Sequence, residues 1–268
     1  MLKRLFLCCA LLALPGACLA GDAQPAACGD ISVAFYENGA LFYHDGAGAW
    51  SGIDKDVLEE LARRLGCRFH SYTDSRVRIW TAMSMGSLDM AMSGVDTPER
   101  EAYARFVPYF MSHNYVLLQK DAAAQVHGLD EFLNKTTYRV AVVKSFRHGA
   151  VYDAWLDKLR AQGRVYEAAD YGALVNMFKI GRVQAILGMN TSWGTLLKQP
   201  EMARRISVMD WAPHDDVTCA LVLSRKTVSA AMTARFTQAI RAMRDDGTLK
   251  AIFERHAGPE IAATLLNN

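Results

Sequence analysis

The sequence predicts an α/β fold of two lobes built on parallel-dominated sheets. Short apolar runs typical of strands alternate with amphipathic runs typical of helices along most of the chain. The 268 residues are enough for two lobes, and the chain shows no repeats, low-complexity stretches or long linkers. Strands that alternate with helices form parallel sheets, which bind ligands at the carboxyl ends of their strands.

Each element is predicted from its own pattern. The helix at 55–65 is typical, because its apolar residues share one face and Gly66 supplies the C-cap. The first series has strands at 31–36, 68–72, 88–92 and 115–119 and helices at 55–65 and 79–85. The second series has strands at 138–143, 165–167, 183–187 and 217–223, helices at 149–161 and 171–179, and a helical tail over 228–256.

Residues 1–20 have the layout of a secretory signal peptide. Lys3 and Arg4 form a basic start, residues 5–14 are apolar and uncharged, and small residues precede the cleavage point. The apolar run is too short to span a bilayer. A lipobox-like stretch is misaligned, so we expect a cleaved leader rather than a lipid anchor. The protein is therefore predicted to be exported to the periplasm.

Composition excludes several kinds of partner. The leader carries two of the 30 basic residues and none of the 28 acidic ones, so the mature chain is formally neutral. A neutral chain argues against nucleic acid, whose binding depends on neutralising phosphates. No later segment reaches the roughly 18 uncharged apolar residues of a membrane span. No His or Cys spacing indicates a metal site, and we expect no cofactor.

Three cysteines remain after the leader. Cys28 and Cys67 each precede an apolar strand, and an oxidising compartment permits a disulfide. If those two strands are parallel neighbours, their starts lie close enough for a bridge. Cys219 is then the odd cysteine, and we expect it to be buried in a strand.

The stretch 93–100 (SGVDTPER) follows an apolar strand and opens a helix. Thr97 is the predicted N-cap, and Pro98 occupies the first helical position. Backbone N–H groups at such a joint suit an anion, and Arg100 would add a bidentate grip on a carboxylate. The alternative is a surface arginine in an ordinary joint, and this loop alone does not decide between the two.

Seven short stretches then occur in a fixed order: GIDKDVL (52–58), LG (65–66), GSLD (86–89), TPER (97–100), PY (108–109), GRV (181–183) and DGT (246–248). Together they resemble the periplasmic solute-binding proteins of the polar amino-acid type, family 3, over essentially the whole mature chain. The resemblance implies two lobes that close over a ligand in the cleft between them. It places lobe one at 21–116 plus 217–268, lobe two at 117–216, and hinge strands near 115–120 and 217–223.

The resemblance implies that Arg100 clamps a ligand carboxylate, with Gly94, Asp96 and Thr97 beside it. The loop is one residue shorter than is usual in the family, which shifts its backbone donors. Asp96 either favours a cationic group on the ligand or caps the following helix, and both interpretations remain open.

Lobe two departs from the family pattern. The family has an Asp after the strand at 183–187 that accepts the ligand's amino group, but Met189 stands there. A thioether cannot neutralise an ammonium group, and Asn190 replaces the Asp only if the register slips by one residue. In the loop after Val143, Ser145 is predicted to cap the helix at the ligand site.

Lobe one offers three more candidates. Glu37 and Phe42 follow the first strand, and Phe42 matches a family aromatic that packs on the ligand. Arg76 falls where many relatives have an aromatic cleft residue. It either binds a second anionic group or faces water.

These features predict the substrate-binding component of an ABC transporter. We expect a monomer that binds a small polar carboxylate, such as an amino acid or a derivative, and delivers it to an inner-membrane permease. The alternative is an enzyme similar to cyclohexadienyl dehydratase, which needs a general acid in the cleft. Only Glu37 and Asp96 are acidic candidates there, so we expect no catalytic residue.

Overall fold

The computed structural model describes residues 28–266. The predicted signal peptide, residues 1–20, lies outside the described residues. Across the described part of the chain, no helix is both long enough and apolar enough to cross a membrane.

Strands and helices alternate through most of the described chain. The strands are β1 (Asp30–Phe35), β2 (Tyr43–His44), β3 (Trp50–Ser51), β4 (Arg68–Thr73), β5 (Met90–Val95), β6 (Ala104–Gln119), β7 (Val140–Val143), β8 (Val165–Ala168), β9 (Ala185–Met189), β10 (Ile206–Met209) and β11 (Asp216–Ser224). The helices are α1 (Ile53–Leu65), α2 (Arg76–Met85), α3 (Pro98–Glu101), α4 (Lys120–Ala123), α5 (Leu129–Asn134), α6 (Ala150–Ala161), α7 (Tyr171–Lys179), α8 (Asn190–Leu196), α9 (Pro200–Arg205), α10 (Ala230–Asp245), α11 (Thr248–Ala257) and α12 (Pro259–Leu266).

The main sheet has the strand order β4-β1-β5-β11-β6-β9-β7-β8, and β10 also pairs with β6. Pairing is parallel towards both ends, where β1 lies between β4 and β5, and β7 lies between β8 and β9. In the middle, β6 and β11 are antiparallel to each other and to their outer neighbours. The α/β two-lobed class is confirmed, and the antiparallel centre is a feature that alternation alone did not predict.

Strand β6 is much longer than the predicted strand at 115–119. Its first part pairs with β11 and its last part with β9, so one strand serves both halves of the sheet. The first part of β6 was not predicted as a strand, because Pro108 interrupts the pattern that is typical of strands. The register shifts there, with Cys219 opposite Phe110 and Ala220 opposite Pro108. A bulge accommodates a residue that lacks an N–H donor.

Other element boundaries move by small amounts. Strands β5 and β9 start at Met90 and Ala185, later than predicted, because the buried Leu88 and Val183 only lead into them. The helical tail is divided, since Gly247 adopts a left-handed backbone (φ 79°) between α10 and α11.

The described residues pack into several apolar clusters. The largest joins both ends of the described chain, with buried members from Cys28 to Leu265, and takes only Met189 as a buried member from between 117 and 216. Two further clusters contain buried residues between 116 and 212, around Phe132 and Phe178. This distribution suits the predicted lobes, whose boundaries remain a prediction.

A disulfide joins Cys28 and Cys67, whose Cα atoms are 4.7 Å apart. Strands β1 and β4 are parallel neighbours, with Asp30 opposite Arg68, so the preceding residues meet at one end of the sheet. The predicted bridge required these two strands to be parallel neighbours, and they are. Cys219 is free and buried in β11, as predicted.

Candidate functional site

A cavity of about 270 Å³ lies where four strands end. Its walls come from the segments that follow β1, β4, β7 and β8. They are Tyr36, Glu37, Asn38, Trp50, Thr73, Asp74, Ser75, Arg76, Val143, Phe146, Ala169, Asp170 and Tyr171. The carboxyl ends of parallel strands are the expected ligand site of an α/β sheet. We call this space the cleft cavity.

Arg76 is the buried cation of the cleft cavity. It is only 3% exposed, and its Cζ atom lies 4.1 Å from the centre of the Tyr36 ring and 4.7 Å from that of Phe146. No hydrogen bond or ion pair joins its guanidinium to any described residue, and Nε and Nη2 are buried without a partner. The alternative that Arg76 faces water is therefore wrong, because aromatic rings enclose it.

The Tyr36 ring is itself held in place beneath Arg76. Its hydroxyl donates a hydrogen bond to the carbonyl of Ser93 at 3.2 Å. Burial raises the pKa of Tyr36 to about 12. The ring therefore remains a neutral aromatic surface for the guanidinium.

Arg100 is also buried, but both of its Nη atoms donate to the protein. Nη1 donates to the carbonyl of Val95 at 2.7 Å, and Nη2 donates to the carbonyl of Ser145 at 2.9 Å. Its Cζ atom lies 3.8 Å from the centre of the Trp80 ring. Burial lowers the pKa of Arg100 to about 10, and the nearby Arg76 charge adds to that effect. Arg100 thus links the loop after β5 to the loop after β7, and it does not line the cleft cavity.

The rest of the stretch 93–100 faces elsewhere. Thr97 caps α3 by accepting a hydrogen bond from the Arg100 amide at 3.3 Å, so the interpretation of Asp96 as the cap is wrong. Asp96 is exposed and lines a separate surface depression with Thr97 and Arg147. Gly94 has no room for a side chain, since a Cβ atom there would lie 2.2 Å from Val222 Cγ2.

A buried network fixes this loop from behind. Asp54 Oδ1 accepts hydrogen bonds from the Tyr109 hydroxyl at 2.5 Å and from Ser93 Oγ at 2.9 Å. Ser93 has a left-handed backbone (φ 50°), and its amide donates to the Tyr109 hydroxyl at 3.1 Å. Burial raises the pKa of Asp54 to about 7. Asp54 and Tyr109 both belong to the motifs of the resemblance, but their contact is visible only in the fold.

The loop after β7 differs from its prediction. Ser145 is exposed, and helix α6 starts five residues later, at Ala150. The carboxylate of Asp215 accepts the first amides of α6, at 2.9 Å from Ala150 and 2.8 Å from Val151. The prediction that Ser145 caps this helix is therefore wrong, because the residues between them form an irregular loop. Ser145 contributes its carbonyl to Arg100 instead.

His148 is a site residue that the sequence analysis missed. It is 3% exposed, and its Nδ1 lies 3.0 Å from Asn114 Oδ1. A second hydrogen bond fixes the orientation of the Asn114 side chain, because its Nδ2 donates to the His148 carbonyl at 3.2 Å. Oδ1 must accept, so Nδ1 carries the proton and Nε2 carries the lone pair. Burial, followed by the charges of nearby arginines, lowers the pKa of His148 to about 3, which keeps the ring neutral.

A smaller cavity of about 20 Å³ adjoins the cleft cavity and shares the lining residues Asn38, Val143, Phe146 and Tyr171. His148 and Met189 line it as well. Two polar atoms on its lining residues, Asn38 Nδ2 and His148 Nε2, are buried without a partner. We call this space the inner cavity.

Met189 leaves the inner cavity without a carboxylate. Met189 is 1% exposed. The next residue, Asn190, does not line the inner cavity. Asn190 accepts a hydrogen bond from Ser112 Oγ at 3.2 Å and donates one to Thr264 Oγ1 at 2.9 Å. The register does not slip, so the predicted substitution of Asn190 for the family Asp is wrong.

Phe42 lies in the core rather than on the cleft cavity. Its ring stacks between those of Phe35 and Trp50, at 4.4 Å and 4.5 Å. The prediction that it packs on the ligand is therefore not supported, because both of its faces are covered. Trp50 belongs to the same stack and does line the cleft cavity.

Three carboxylates form the rim of the cleft cavity: Glu37, Asp74 and Asp170. Glu37 and Asp170 are exposed. Asp170 accepts the amide of Ala173 at 2.7 Å, and Asp74 accepts that of Ser75 at 2.7 Å. Within residues 28–266, no group of three or more His, Cys, Asp or Glu side chains is arranged to hold a metal.

The fold and this cavity define a two-lobed binding protein, and the family comparison agrees. Residues 31–259 match the model of the bacterial extracellular solute-binding proteins, family 3. The chain belongs to this family.

Solved structures share the fold at low sequence identity. A mutant of ArgBP from T. maritima is 16% identical, with a TM-score of 0.72 over 85% of this chain and 94% of that chain. The amino acid ABC transporter substrate-binding protein AbpA from Streptococcus pneumoniae, bound to L-arginine, is 19% identical, with a TM-score of 0.71 over 87% and 95%. An ancestral amino acid-binding protein, a precursor of cyclohexadienyl dehydratase, is 20% identical, with a TM-score of 0.70 over 85% and 95%. A search of curated proteins returned no match.

Proposed function

We propose that this protein is the periplasmic substrate-binding component of an ABC transporter and binds a small polar carboxylate, such as an amino acid or a derivative. The observation that carries this proposal is Arg76. A buried guanidinium without an anionic partner is costly in a folded protein, and a ligand carboxylate would supply that partner. Nε and Nη2 are the parallel donors of one edge of the guanidinium, which match the two oxygens of a carboxylate.

The surroundings of Arg76 support a small-molecule ligand. The cleft cavity combines aromatic walls from Tyr36, Trp50, Phe146 and Tyr171 with few polar groups, which is typical of ligand pockets. Family membership supports delivery to a permease and export through the predicted leader. Closure of the lobes would remove the bound carboxylate from water and strengthen its interaction with Arg76.

A thermal-shift screen of the exported protein tests this function. The panel contains amino acids, their amine-free analogues, dicarboxylates and prephenate. A ligand at a hundred times its dissociation constant stabilises the protein by about 2.7 kcal/mol, which is easily detected. We expect at least one carboxylate to do so, with the affinity then measured by calorimetry.

Arg76→Gln and Arg78→Gln form a matched pair for that ligand. Both arginines lie on α2, but Arg78 is exposed and reaches only the Asp74 carboxylate, at 3.5 Å. Hydrogen bonds to charged groups contribute about 1.5–3 kcal/mol, so Arg76→Gln should weaken binding by about 10- to 100-fold. Arg78→Gln should bind as the wild type does. Equal binding by Arg76→Gln would refute the role of Arg76.

We infer binding without turnover. The carboxylates of the cleft cavity are the rim residues Glu37, Asp74 and Asp170, and the buried Asp54 does not line it. Asp96, the other acid considered from the sequence, lies outside it as well. Incubation with prephenate should therefore leave it unchanged beyond its spontaneous decay, and formation of phenylpyruvate above that rate would establish the enzyme instead.

A further inference from the structure

Three buried residues near the ring of Phe146, namely Arg76, Asn38 and His148, each have a polar atom without a partner. The Arg76 Cζ atom is 4.7 Å from the centre of this ring, and the His148 ring centre is 4.9 Å away. Asn38 lines both cavities that Phe146 lines. The unpartnered atoms are Arg76 Nε and Nη2, Asn38 Nδ2 and His148 Nε2. Buried polar groups are nearly always hydrogen-bonded in native proteins, so this cluster indicates where a ligand's polar atoms belong.

The charge of this cluster selects against an ammonium group. Arg76 and Arg100 are both buried cations, and His148 is neutral. Met189 lines the inner cavity, and none of the residues that line this cavity carries a carboxylate. On the rim, Glu37 and Asp170 are exposed and Asp74 is half-buried, and Asp74 and Asp170 already accept backbone amides. An ammonium placed in the inner cavity would therefore be desolvated beside positive charge without a counter-ion.

The donor and acceptor pattern selects for a hydroxyl group. Nε2 of His148 carries a lone pair, because Nδ1 donates to Asn114 Oδ1. Nδ2 of Asn38 is a donor, and the orientation of that amide is set by Oδ1, which accepts from Ser192 Oγ at 2.7 Å. A hydroxyl is both donor and acceptor, so it satisfies both atoms without introducing a charge.

We propose that the ligand is a hydroxy-carboxylate without an amino group. Its carboxylate binds Arg76, its hydroxyl donates to His148 Nε2 and accepts from Asn38 Nδ2, and its apolar body lies against the aromatic walls of the cleft cavity. This proposal rests on the proposed function, because it assigns the substrate class of the same site.

Calorimetric titration with matched sets of acids tests the proposal. Each set holds a hydroxy acid, the amino acid and the unsubstituted acid of one carbon skeleton. The three sets are 3-phenyllactate, phenylalanine and 3-phenylpropanoate; 2-hydroxy-4-methylpentanoate, leucine and 4-methylpentanoate; and malate, aspartate and succinate. Chiral acids are titrated as separate enantiomers against the exported protein.

In the set whose skeleton fits, we expect the hydroxy acid to bind at least tenfold tighter than the amino acid and tighter than the unsubstituted acid. An amino acid that binds as well as its hydroxy analogue overturns the proposal and leaves the proposed function standing. An unsubstituted acid that binds as well as the hydroxy acid overturns the role of His148 and Asn38. If no acid of these sets binds and the thermal-shift screen identifies an amino acid as ligand, this proposal fails and the proposed function stands. If neither experiment finds a ligand, the proposed function fails as well.

Met189→Asp returns a carboxylate to the inner cavity, and Met189→Leu is its neutral control. We expect Met189→Asp to shift selectivity at least tenfold towards the amino acid, and Met189→Leu to keep the wild-type order. Circular dichroism and thermal unfolding establish that each variant is folded. If Met189→Asp does not fold, the titrations of the wild-type protein still decide the proposal.

Discussion

The two buried arginines of this protein make an informative comparison. Arg100 and Arg76 both stack on aromatic rings, on Trp80 and on Tyr36 respectively. Arg100 donates to carbonyls of two different loops, whereas Arg76 makes no hydrogen bond to any residue that the structure describes. A buried cation whose donors bind carbonyls of the protein stabilises the fold. A buried cation whose donors are free destabilises the unliganded fold and keeps that interaction available for a ligand.

The same contrast extends to the segments around each arginine. On the Arg100 side, Asp54, Ser93 and Tyr109 satisfy one another. On the Arg76 side, Asn38 and His148 each retain one atom without a partner. Three predictions test whether the two sides differ in this way.

The largest expected effect concerns Asp54. Its pKa is raised from 3.8 to about 7 in the folded protein, so folded molecules hold a proton that unfolded ones release between these values. The free energy of unfolding should therefore fall as pH rises from about 4 to about 7 and then level off. At 1.36 kcal/mol per pKa unit, this contribution is of the order of 4 kcal/mol. Denaturant unfolding at pH 4.5 and 7.5 measures it.

Asp54→Asn is the variant for that measurement. Both hydrogen bonds to Asp54 reach Oδ1, so an asparagine can keep them while it removes the titration. The difference in unfolding free energy between wild type and Asp54→Asn should change with pH over this window. A constant difference would mean that Asp54 stays ionised in the fold.

Arg100→Met should have the next largest effect, on stability. The variant removes two charge-assisted hydrogen bonds and leaves the carbonyls of Val95 and Ser145 without donors. We expect a loss of about 2–3 kcal/mol from the free energy of unfolding in the absence of ligand. Urea denaturation with a two-state fit measures the change, and an unaltered midpoint would contradict the structural role of Arg100.

Arg76→Met should have a smaller effect of the opposite sign. It replaces a buried cation without a partner by an apolar chain of similar length, beside the rings of Tyr36 and Phe146. We expect the unliganded variant to be more stable than the wild type by about 1 kcal/mol. The same urea experiment applies, and a loss of stability similar to that of Arg100→Met would erase the distinction between the two arginines.

Much of the fold follows from local patterns. The helix around Leu61 is set by apolar spacing, and the start of α3 follows from Thr97 and Pro98. Strand β6 was only partly predicted, because its pairing with β11 includes a bulge at Pro108 that local alternation conceals. Apolar periodicity predicts which face of a helix or strand is buried, but it does not predict which other segment packs against that face.

Less of the site follows from such patterns. The resemblance predicted that Arg100 binds the ligand carboxylate. In the structure, Nη1 and Nη2 of Arg100 donate to backbone carbonyls. Phe42 was expected at the ligand and lies between two core rings. His148 carried no motif, because its importance depends on Asn114, which lies 34 residues away along the chain. The residues just before α6 do not reveal its cap, because the carboxylate that accepts the first amides of this helix belongs to Asp215, in another segment of the chain.

The α/β class, most of the longer helices and strands, and the condition for the bridge between Cys28 and Cys67 could be predicted from the sequence. These properties depend on spacing along the chain, through apolar periodicity, caps and strand starts. Only the tertiary structure decided which arginine keeps free donors and which histidine nitrogen keeps its lone pair. A buried polar atom finds its hydrogen-bond partner on a segment that is distant along the chain. A local sequence pattern therefore does not show whether that partner is present.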